Sequence, residues 1–210
     1  IRRVAAVYDL RNQAYSESWL KEYQKAFSVH GGEVVVTESY YSGDNVNFAT
    51  LVESLLKVKP DAVVLIANSL DAAMLAQQVR KRDPHVHIAT SEWAATERLS
   101  ELGGNAVEGV MIAQFMDRDS NSPSFLAFRQ AYVERFSMEP GFGGVTAFDA
   151  TNVVLAALAG KDASQTLKQA ILSQSTFVGV QSEIRFDKMG DAKRDTYMTT
   201  IHNGQFLRVR

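Results

Sequence analysis

The sequence predicts an α/β fold: a lobe built on a doubly wound parallel sheet, followed by a helical segment and a short β return. Two observations lead to this prediction. In the first half of the chain, five short apolar runs alternate with amphipathic helical patterns across short links, which is typical of a parallel sheet with helices on both faces. After residue 123 only helical patterns follow, until strand character returns in the tail. We therefore divide the chain into segments 1–116, 117–122, 123–173 and 174–210.

Each element of the first segment has its own signature. The continuous apolar run at 62–67 is typical of a strand buried on both faces. Aromatic and aliphatic residues recur at helical spacing between 19 and 27, and Gly31-Gly32 ends that helix. Strands are predicted at 4–8, 34–36, 62–67, 86–90 and 109–115, and further helices from 47, from 71 and at 94–102.

The second half begins with the polar, turn-rich stretch 117–123, which we interpret as a linker or crossover. Helices are predicted at 125–136, 147–159 and 163–172, the last capped by Asp162, and no sheet is predicted among them. Strands follow at 182–186, 196–201 and 205–209. Asn203-Gly204 between the last two predicts a tight hairpin turn.

Composition narrows the class of function. The formal net charge is −2 and 22% of residues are charged, so neither nucleic acid nor an anionic membrane is an expected partner. The absence of cysteine excludes disulfides and thiolate metal sites. No apolar run reaches the ~20 residues of a bilayer span, so no direct membrane insertion is expected. Because the sequence starts directly on a predicted buried strand, we expect it to be cut from a longer chain, without its leader.

Ligands of open parallel sheets bind beyond the carboxyl ends of the strands. Hydroxyls, an amide, carboxylates and aromatic rings cluster at these predicted ends, a set that suits a small zwitterion. The candidate ligand-binding residues are Asp9, Tyr15, Asn68, Ser69, Ser91, Glu92 and Trp93.

Each candidate also has a structural interpretation. Glu92 either accepts a ligand ammonium group or starts the helix at 94, where an acidic residue is favourable. Tyr15 is either a wall of the site or a core aromatic. Asn68 and Ser69 contact ligand or form an ordinary helix start. Trp93 stacks on a ligand or fills the rim of the sheet.

Catalytic patterns are weak, so we do not expect an enzyme, a cofactor or a metal. His85-x-His87 has no third ligand at a diagnostic spacing. No serine lies in the Gly-x-Ser-x-Gly elbow of a nucleophile. The glycines of 141–144 do not lie between a strand and a helix, as a dinucleotide loop requires. An acid/base pair of Asp9 with Glu92 stays an alternative that the sequence does not support further.

A series of short motifs follows one another in a characteristic order and spacing. They are 15–18 with Trp19, 60–64, 67–71 with 77–80, Ser91-Glu92, 107–110, Glu139-Pro140, 147–150, 177–180, 184–187 with Gly190-Asp191, and Asn203-Gly204. Together they resemble the type I periplasmic solute-binding proteins, the group that includes the leucine/isoleucine/valine-binding protein. The resemblance covers nearly the whole chain and begins about a third of the way into a typical member. Ser16 and Ser18 replace the usual glycines of the first motif.

The resemblance implies two α/β lobes joined by crossover strands, with a ligand that closes the cleft between them. By this resemblance, Glu92 matches the glutamate that accepts the ligand's ammonium group in the family, and Tyr15 matches the tyrosine of the family's helix-start motif. Asn68 stands where many members have a further tyrosine, which implies a ligand more polar than leucine. The helices of 123–173 would belong to a second lobe that is incomplete because its N-terminal part is missing.

The implied function is capture of an amino acid or related small molecule outside the cytoplasm, in the periplasm or extracellular space. The implied partner is the membrane permease of an ABC transporter. A ligand-sensing domain of a membrane receptor or sensor kinase is the alternative.

Overall fold

The computed structural model describes residues 1–43 and 45–209, which form a mixed α/β structure. Its strands are β1 (Arg3–Asp9), β2 (Glu33–Tyr40), β3 (Ala62–Ile66), β4 (His87–Thr90), β5 (Met111–Gln114), β6 (Thr176–Val178), β7 (Glu183–Phe186), β8 (Ala192–Lys193), β9 (Tyr197–His202) and β10 (Gln205–Arg208). Its α-helices are α1 (Gln13–Val29), α2 (Phe48–Lys57), α3 (Ser69–Arg82), α4 (Glu97–Gly103), α5 (Pro123–Phe136), α6 (Phe142–Gly160) and α7 (Leu167–Gln174). Short 3₁₀ turns occupy Leu10–Asn12, Glu92–Ala94 and Gly104–Val107.

The chain folds as two compact units. Unit 1 comprises Ile1–Ala113 and the tail from Met198, and unit 2 comprises Gln114–Tyr197. Residues 174–197, which the sequence analysis grouped with the returning tail, therefore lie in unit 2 because their strands pack on its helices.

The large sheet has the strand order β10-β9-β5-β4-β3-β1-β2. Its β1, β2, β3, β4 and β5 run parallel, and β9 and β10 form an antiparallel hairpin. Asn203 and Gly204 join the hairpin strands with φ of 50° and 75°, the left-handed conformation that this turn requires. The predicted parallel sheet and the predicted hairpin are both confirmed.

The core of unit 1 forms on both faces of the central strands. Every residue of β3 is buried, as its continuous apolar run predicted. Leu20 of α1 covers one face of β1 and β3, where Val4 and Val64 belong to the same buried cluster. Gly32 packs against the Phe27 ring just after α1, a close approach that leaves no room for a larger residue.

Unit 2 contains a small sheet of which the sequence analysis predicted one strand, at 182–186, which is β7. Strands β6, β7 and β8 form a three-stranded antiparallel sheet. Phe177 and Ile184 of this sheet are buried in one cluster with Val153 of α6 and Ala170 of α7. The helices of 123–173 therefore pack on a sheet that follows them in the chain. Strands β6 and β8 were not predicted, because two or three residues are too short for an alternation pattern to reveal.

Several helix starts also differ from the predictions. Helix α7 begins at Leu167, after a capping box in which the Thr166 hydroxyl accepts from the Gln169 backbone N–H, while Asp162 caps only a turn at Ser164. Helix α4 begins at Glu97, because the 3₁₀ turn of Glu92–Ala94 takes the place of its predicted first residues.

Helix α6 is 19 residues long and, by length and composition alone, apolar enough to cross a membrane. The prediction considered only uninterrupted apolar runs and therefore did not identify this helix, which contains Asp149 and Asn152; the core helices of soluble proteins pass the same test. Asp149 lies in the middle of α6 and accepts from the Val180 backbone N–H at 2.9 Å and from Arg194 at 3.1 Å. These buried polar contacts tie the centre of α6 to unit 2 rather than to hydrocarbon.

Candidate functional site

The parallel strands of unit 1 direct their carboxyl ends to one edge, where the strand order reverses beside β1. The chain passes from β1 to β2 on one side and then returns to β3 on the other. Such a switch point leaves a crevice between adjacent strand ends, which is the usual ligand site of an open α/β sheet. Asp9 ends β1 and Asn68 follows β3, so both predicted residues lie at this point.

Glu92 receives two hydrogen bonds from helix α1. The Tyr15 hydroxyl donates to Oε1 at 2.8 Å, and the Trp19 indole N–H donates to Oε2 at 3.1 Å. Tyr15 and Trp19 are four residues apart, so they lie on the same face of the helix. One helix face therefore holds both oxygens of a carboxylate that is more than seventy residues away in the sequence.

The end of β4 places Glu92 within reach of that helix. The Ser91 backbone N–H and the Thr90 hydroxyl both donate to the Leu65 carbonyl, at 3.1 and 2.9 Å. These bonds hold the end of β4 against β3, and the 3₁₀ turn of Glu92–Ala94 then directs the chain away from the sheet. Glu92 thus begins a separate 3₁₀ turn rather than the helix predicted at 94, and it presents its carboxylate to α1.

Aromatic surface surrounds the same carboxylate. The Tyr15 and Trp93 rings meet edge to face, with centroids 5.6 Å apart and planes at 80°. Tyr15 and Trp19 also line a shallow groove along α1 that extends to Tyr23 and Ala26. Apolar and weakly polar surface is therefore available next to a negative charge.

Burial raises the pKa of the Tyr15 hydroxyl well above its ordinary value of 10.0. The neighbouring Ser91 hydroxyl opposes this rise, and the negative charge of Glu92 adds to it. Tyr15 therefore stays a neutral phenol at physiological pH and can act only as a hydrogen-bond donor toward Glu92. Ser91 itself is fully buried.

Asn68 and Ser69 have structural partners. Asn68 is the N-cap of α3: its Oδ1 accepts from the Asp71 backbone N–H at 3.0 Å. The Ser69 and Thr96 hydroxyls are hydrogen-bonded at 2.6 Å, which ties the start of α3 to the start of α4. These contacts agree with the helix-start interpretation and leave both side chains partly exposed at the edge.

A second polar cluster surrounds Asp9 and Asp71. The Oδ1 of Asp9 accepts from the Arg11 and Ser42 backbone N–H groups at 2.9 and 3.0 Å, and the side chain is 1% exposed. The Tyr40 hydroxyl donates to Asp71 Oδ2 at 3.0 Å, in a buried position. Burial raises the pKa of Asp71, and the charge of Asp9 adds to that rise.

The structure does not bring all seven predicted residues together: Asn68 bonds to Asp71 beside Asp9, and Ser69 bonds to Thr96. Glu92, Tyr15, Ser91 and Trp93 come together around one partly exposed carboxylate, whereas Asp9 lies in the buried cluster, and no described hydrogen bond joins Asp9 to Glu92. The sequence analysis missed Trp19 as a site residue. Its spacing of four from Tyr15 was the available signal.

Within residues 1–43 and 45–209, no group of three or more His, Asp or Glu side chains has the arrangement of a metal site. His85 and His87 are both exposed at the amino end of β4, away from the carboxyl edge that carries Glu92.

Comparison with known proteins gives a consistent set of matches. The sequence profile of a family described as periplasmic binding protein matches residues 1–205. No curated protein sequence matches the chain significantly. Among solved structures, the leucine-binding protein LivK from Thermotoga maritima matches with a TM-score of 0.89 and 24% identity, over 100% of this chain and 60% of that one.

Two further structures were solved with ligands. The branched-chain amino acid transporter substrate-binding protein LivJ from Streptococcus pneumoniae, in complex with isoleucine, matches with a TM-score of 0.83 and 20% identity over 99% of this chain and 60% of that one. An ABC transporter solute-binding protein from R. palustris, in complex with benzoate, matches with a TM-score of 0.86 and 16% identity over 100% of this chain and 58% of that one. The chain therefore spans about 60% of the length of these relatives.

Proposed function

The chain belongs to the periplasmic binding protein family, and from this premise we propose that it captures an amino acid or a close analogue outside the cytoplasm. The captured solute is passed to the membrane permease of an ABC transporter, and the solute leaves the protein chemically unchanged. Within the chain, Glu92 is the acceptor for the ligand ammonium group, and Tyr15 and Trp93 form the aromatic wall beside it.

The observation that carries this proposal is that Glu92 is hydrogen-bonded to two neutral donors and to no described cationic side chain. Both of its described partners, the Tyr15 hydroxyl and the Trp19 indole, are neutral donors. Neutral donors stabilise an ionised carboxylate without cancelling its charge, whereas an arginine or lysine would neutralise it. The carboxylate is also partly exposed, so its net negative charge is available to a cationic group.

The hydrogen-bond capacity of Glu92 supports the same assignment. An ionised carboxylate offers about four acceptor positions, and two of them are occupied here. An ammonium group, with three donors and no acceptor, can occupy the remaining positions. Because such hydrogen bonds join opposite charges, they are stronger than bonds between neutral groups.

The names of the matched structures favour a transport role over a sensing role. They also supply the competing class of ligand, carboxylates without an ammonium group. LivK is named for leucine binding and LivJ was solved with isoleucine, both of which carry an ammonium group. The R. palustris protein was solved with benzoate, which carries none. The question that separates these classes is therefore whether the ligand needs a carboxylate partner for an ammonium group.

A thermal-shift panel on the full-length protein tests the proposal. The panel contains the free amino acids, their deaminated analogues such as 4-methylpentanoate, and benzoate. A ligand at 100 times its dissociation constant adds about 2.7 kcal/mol to the free energy of unfolding. We expect at least one amino acid to stabilise the protein and its deaminated analogue to do so far less.

Two charge-matched variants complete the experiment. Glu92→Gln keeps the shape of the side chain but removes its charge, and should abolish the response to amino acids. Glu101→Gln removes one carboxylate from the exposed surface of α4 and should leave the response unchanged. If only carboxylates without an amino group stabilise the protein, and Glu92→Gln responds as the wild type does, the amino-acid assignment is wrong.

A further inference from the structure

The indole of Trp19 is placed by a column of stacked rings along α1. Trp19 and Tyr23 stack with centroids 5.4 Å apart and planes at 14°, and Tyr23 and Phe27 stack at 5.4 Å and 18°. The rings are four residues apart on one helix face, so each lies over the next. All three pack against the buried cluster that contains Leu20.

This column limits the positions that the indole N–H can take. A stacked aromatic pair is more stable than the area that it buries accounts for, and two such pairs follow one another here, Trp19 with Tyr23 and Tyr23 with Phe27. Rotating the indole away from Glu92 would break the Trp19–Tyr23 stack and expose the cluster below it. The N–H of Trp19 is therefore a pre-oriented donor, unlike one at the end of a flexible side chain.

We propose that Trp19 is a positioning residue, which orients the Glu92 carboxylate so that its free acceptor positions face the ligand ammonium group. The inference rests on the proposed function and names a residue that makes the binding site selective for ligands with an ammonium group. Tyr15 fixes Oε1 and Trp19 fixes Oε2, so the carboxylate plane is defined from both ends. Without the indole, the plane can rotate about the remaining bond to Tyr15.

The consequence is selectivity for an ammonium group over a ligand that lacks one. A pre-oriented acceptor binds more tightly because ordering it costs nothing at the moment of binding. A deaminated ligand makes no contact with the free acceptor positions, so the orientation of the carboxylate does not affect its binding. Trp19 should therefore influence the binding of one ligand class and leave the other unchanged.

The first arm of the test measures the contact without any ligand. In a ¹H–¹⁵N spectrum of the full-length protein, Trp19→Phe identifies the indole signal by its loss. Glu92→Gln should move that signal upfield and accelerate its exchange with solvent, since the acceptor loses its charge. Glu101→Gln should leave the signal in place. A Trp19 signal that does not respond to Glu92→Gln would overturn the inference.

The second arm measures selectivity with Trp19→Phe, which keeps an aromatic ring in the column. The probes are the amino acids of the thermal-shift panel, their deaminated analogues and benzoate, each titrated by calorimetry. We expect amino-acid affinity to fall about 10- to 150-fold, the range for losing a hydrogen bond to a charged group. The affinity of ligands without an ammonium group should stay within about twofold.

The outcomes separate the two proposals. An equal loss for both ligand classes would mean that Trp19 supports the fold of the site and does not orient Glu92, which overturns the inference but keeps the proposed function. If no amino acid binds the wild-type protein, the proposed function fails and the recognition role of Trp19 fails with it, even where the first arm confirms the contact.

Discussion

Two carboxylates at the same edge of the sheet receive a phenol hydroxyl, but their surroundings differ. Tyr15 donates to Glu92 and Tyr40 donates to Asp71, at 2.8 and 3.0 Å. Glu92 is partly exposed, whereas Asp71 is 6% exposed and also receives a bond from Asn68. The same pairing of phenol and carboxylate therefore occurs once in a partly exposed position, at the proposed recognition site, and once in a buried structural cluster.

The comparison indicates that the solvent accessibility of a carboxylate, and not its residue type, determines whether it is suited to bind a ligand or to stabilise the fold. A buried carboxylate takes its hydrogen bonds from the protein because water does not reach it, and Asp9 does so through Oδ1, while its buried Oδ2 has no described partner. A partly exposed carboxylate keeps acceptor positions that water fills until a ligand replaces it. Removing a buried group should therefore reduce stability, while removing an accessible one should reduce binding.

The largest expected effect on stability comes from Asp9. Replacing Asp9 with Ala leaves the Arg11 and Ser42 backbone N–H groups without their acceptor, which should lower the free energy of unfolding by about 2–5 kcal/mol. Glu92→Ala should cost less than about 1 kcal/mol, since water can reach its donors. Urea denaturation of both variants measures the difference. Asp9→Asn, which retains an acceptor oxygen, should recover most of the loss, and equal costs for Asp9→Ala and Glu92→Ala would contradict the comparison.

Substitution of Tyr40 or Tyr15 by Phe should produce the next largest change in stability or binding. Tyr40→Phe removes a donor from a buried carboxylate and should destabilise the protein by about 1–3 kcal/mol. Tyr15→Phe should cost less in stability and should weaken the binding of amino acids by loosening Glu92. Unfolding curves and calorimetric titrations on both variants would separate the two losses. The comparison fails if Tyr40→Phe is the variant that weakens binding.

A smaller effect is expected in the pH dependence of stability, where Asp71 should make the protein less stable as the pH rises. Burial raises the pKa of Asp71 above its ordinary value of 3.8, so the folded state holds this proton more tightly than the unfolded state. The contribution of Asp71 to stability is therefore present below pH 3.8 and is lost as the pH rises through the raised pKa. Relative to Asp71→Asn, the wild type should lose stability from about pH 4 upward, as measured by thermal unfolding across pH 4–8.

Asp61 provides a control of opposite sign. Hydrogen bonds from the Arg2 and Arg3 backbone N–H groups lower the pKa of its exposed carboxyl below 3.8. Its contribution is present above that value and is lost as the pH falls through the lowered pKa. The Asp61→Asn comparison is therefore measured below about pH 4, where the wild type should lose stability relative to the variant as the pH falls. If the Asp71→Asn comparison has the same direction, with wild-type stability rising as the pH rises, the cluster around Asp71 is not buried as described.

The smallest effect is spectroscopic. Trp19 and Trp93 are the two tryptophans of this chain, and both lie beside Tyr15 or Glu92. An amino acid bound at Glu92 excludes water from both rings, so emission should move to shorter wavelength. Difference spectra between the wild type and Trp19→Phe isolate the contribution of one indole. Unchanged emission in the presence of a stabilising amino acid would place the ligand elsewhere.

Local patterns were sufficient to predict much of the fold. The continuous apolar run of β3, the spacing of apolar residues in α1 and the Asn203-Gly204 turn each predicted the element that forms, because each depends on neighbours within a few residues. The short strands β6 and β8 were missed, since two or three residues carry no periodicity. The start of α7 was wrong because two capping residues, Asp162 and Thr166, competed for the same helix.

The sequence by itself determined that Glu92, Tyr15 and Asp9 lie at the carboxyl edge of a parallel sheet, since strand ends and helix starts are local features. Only the tertiary structure decided their hydrogen-bond partners and their burial. It brought Trp19 to Glu92 across 73 residues and enclosed Asp9 between backbone donors. The physical reason is that solvent access and hydrogen-bond saturation depend on which distant segments cover a side chain, and no local pattern contains that information.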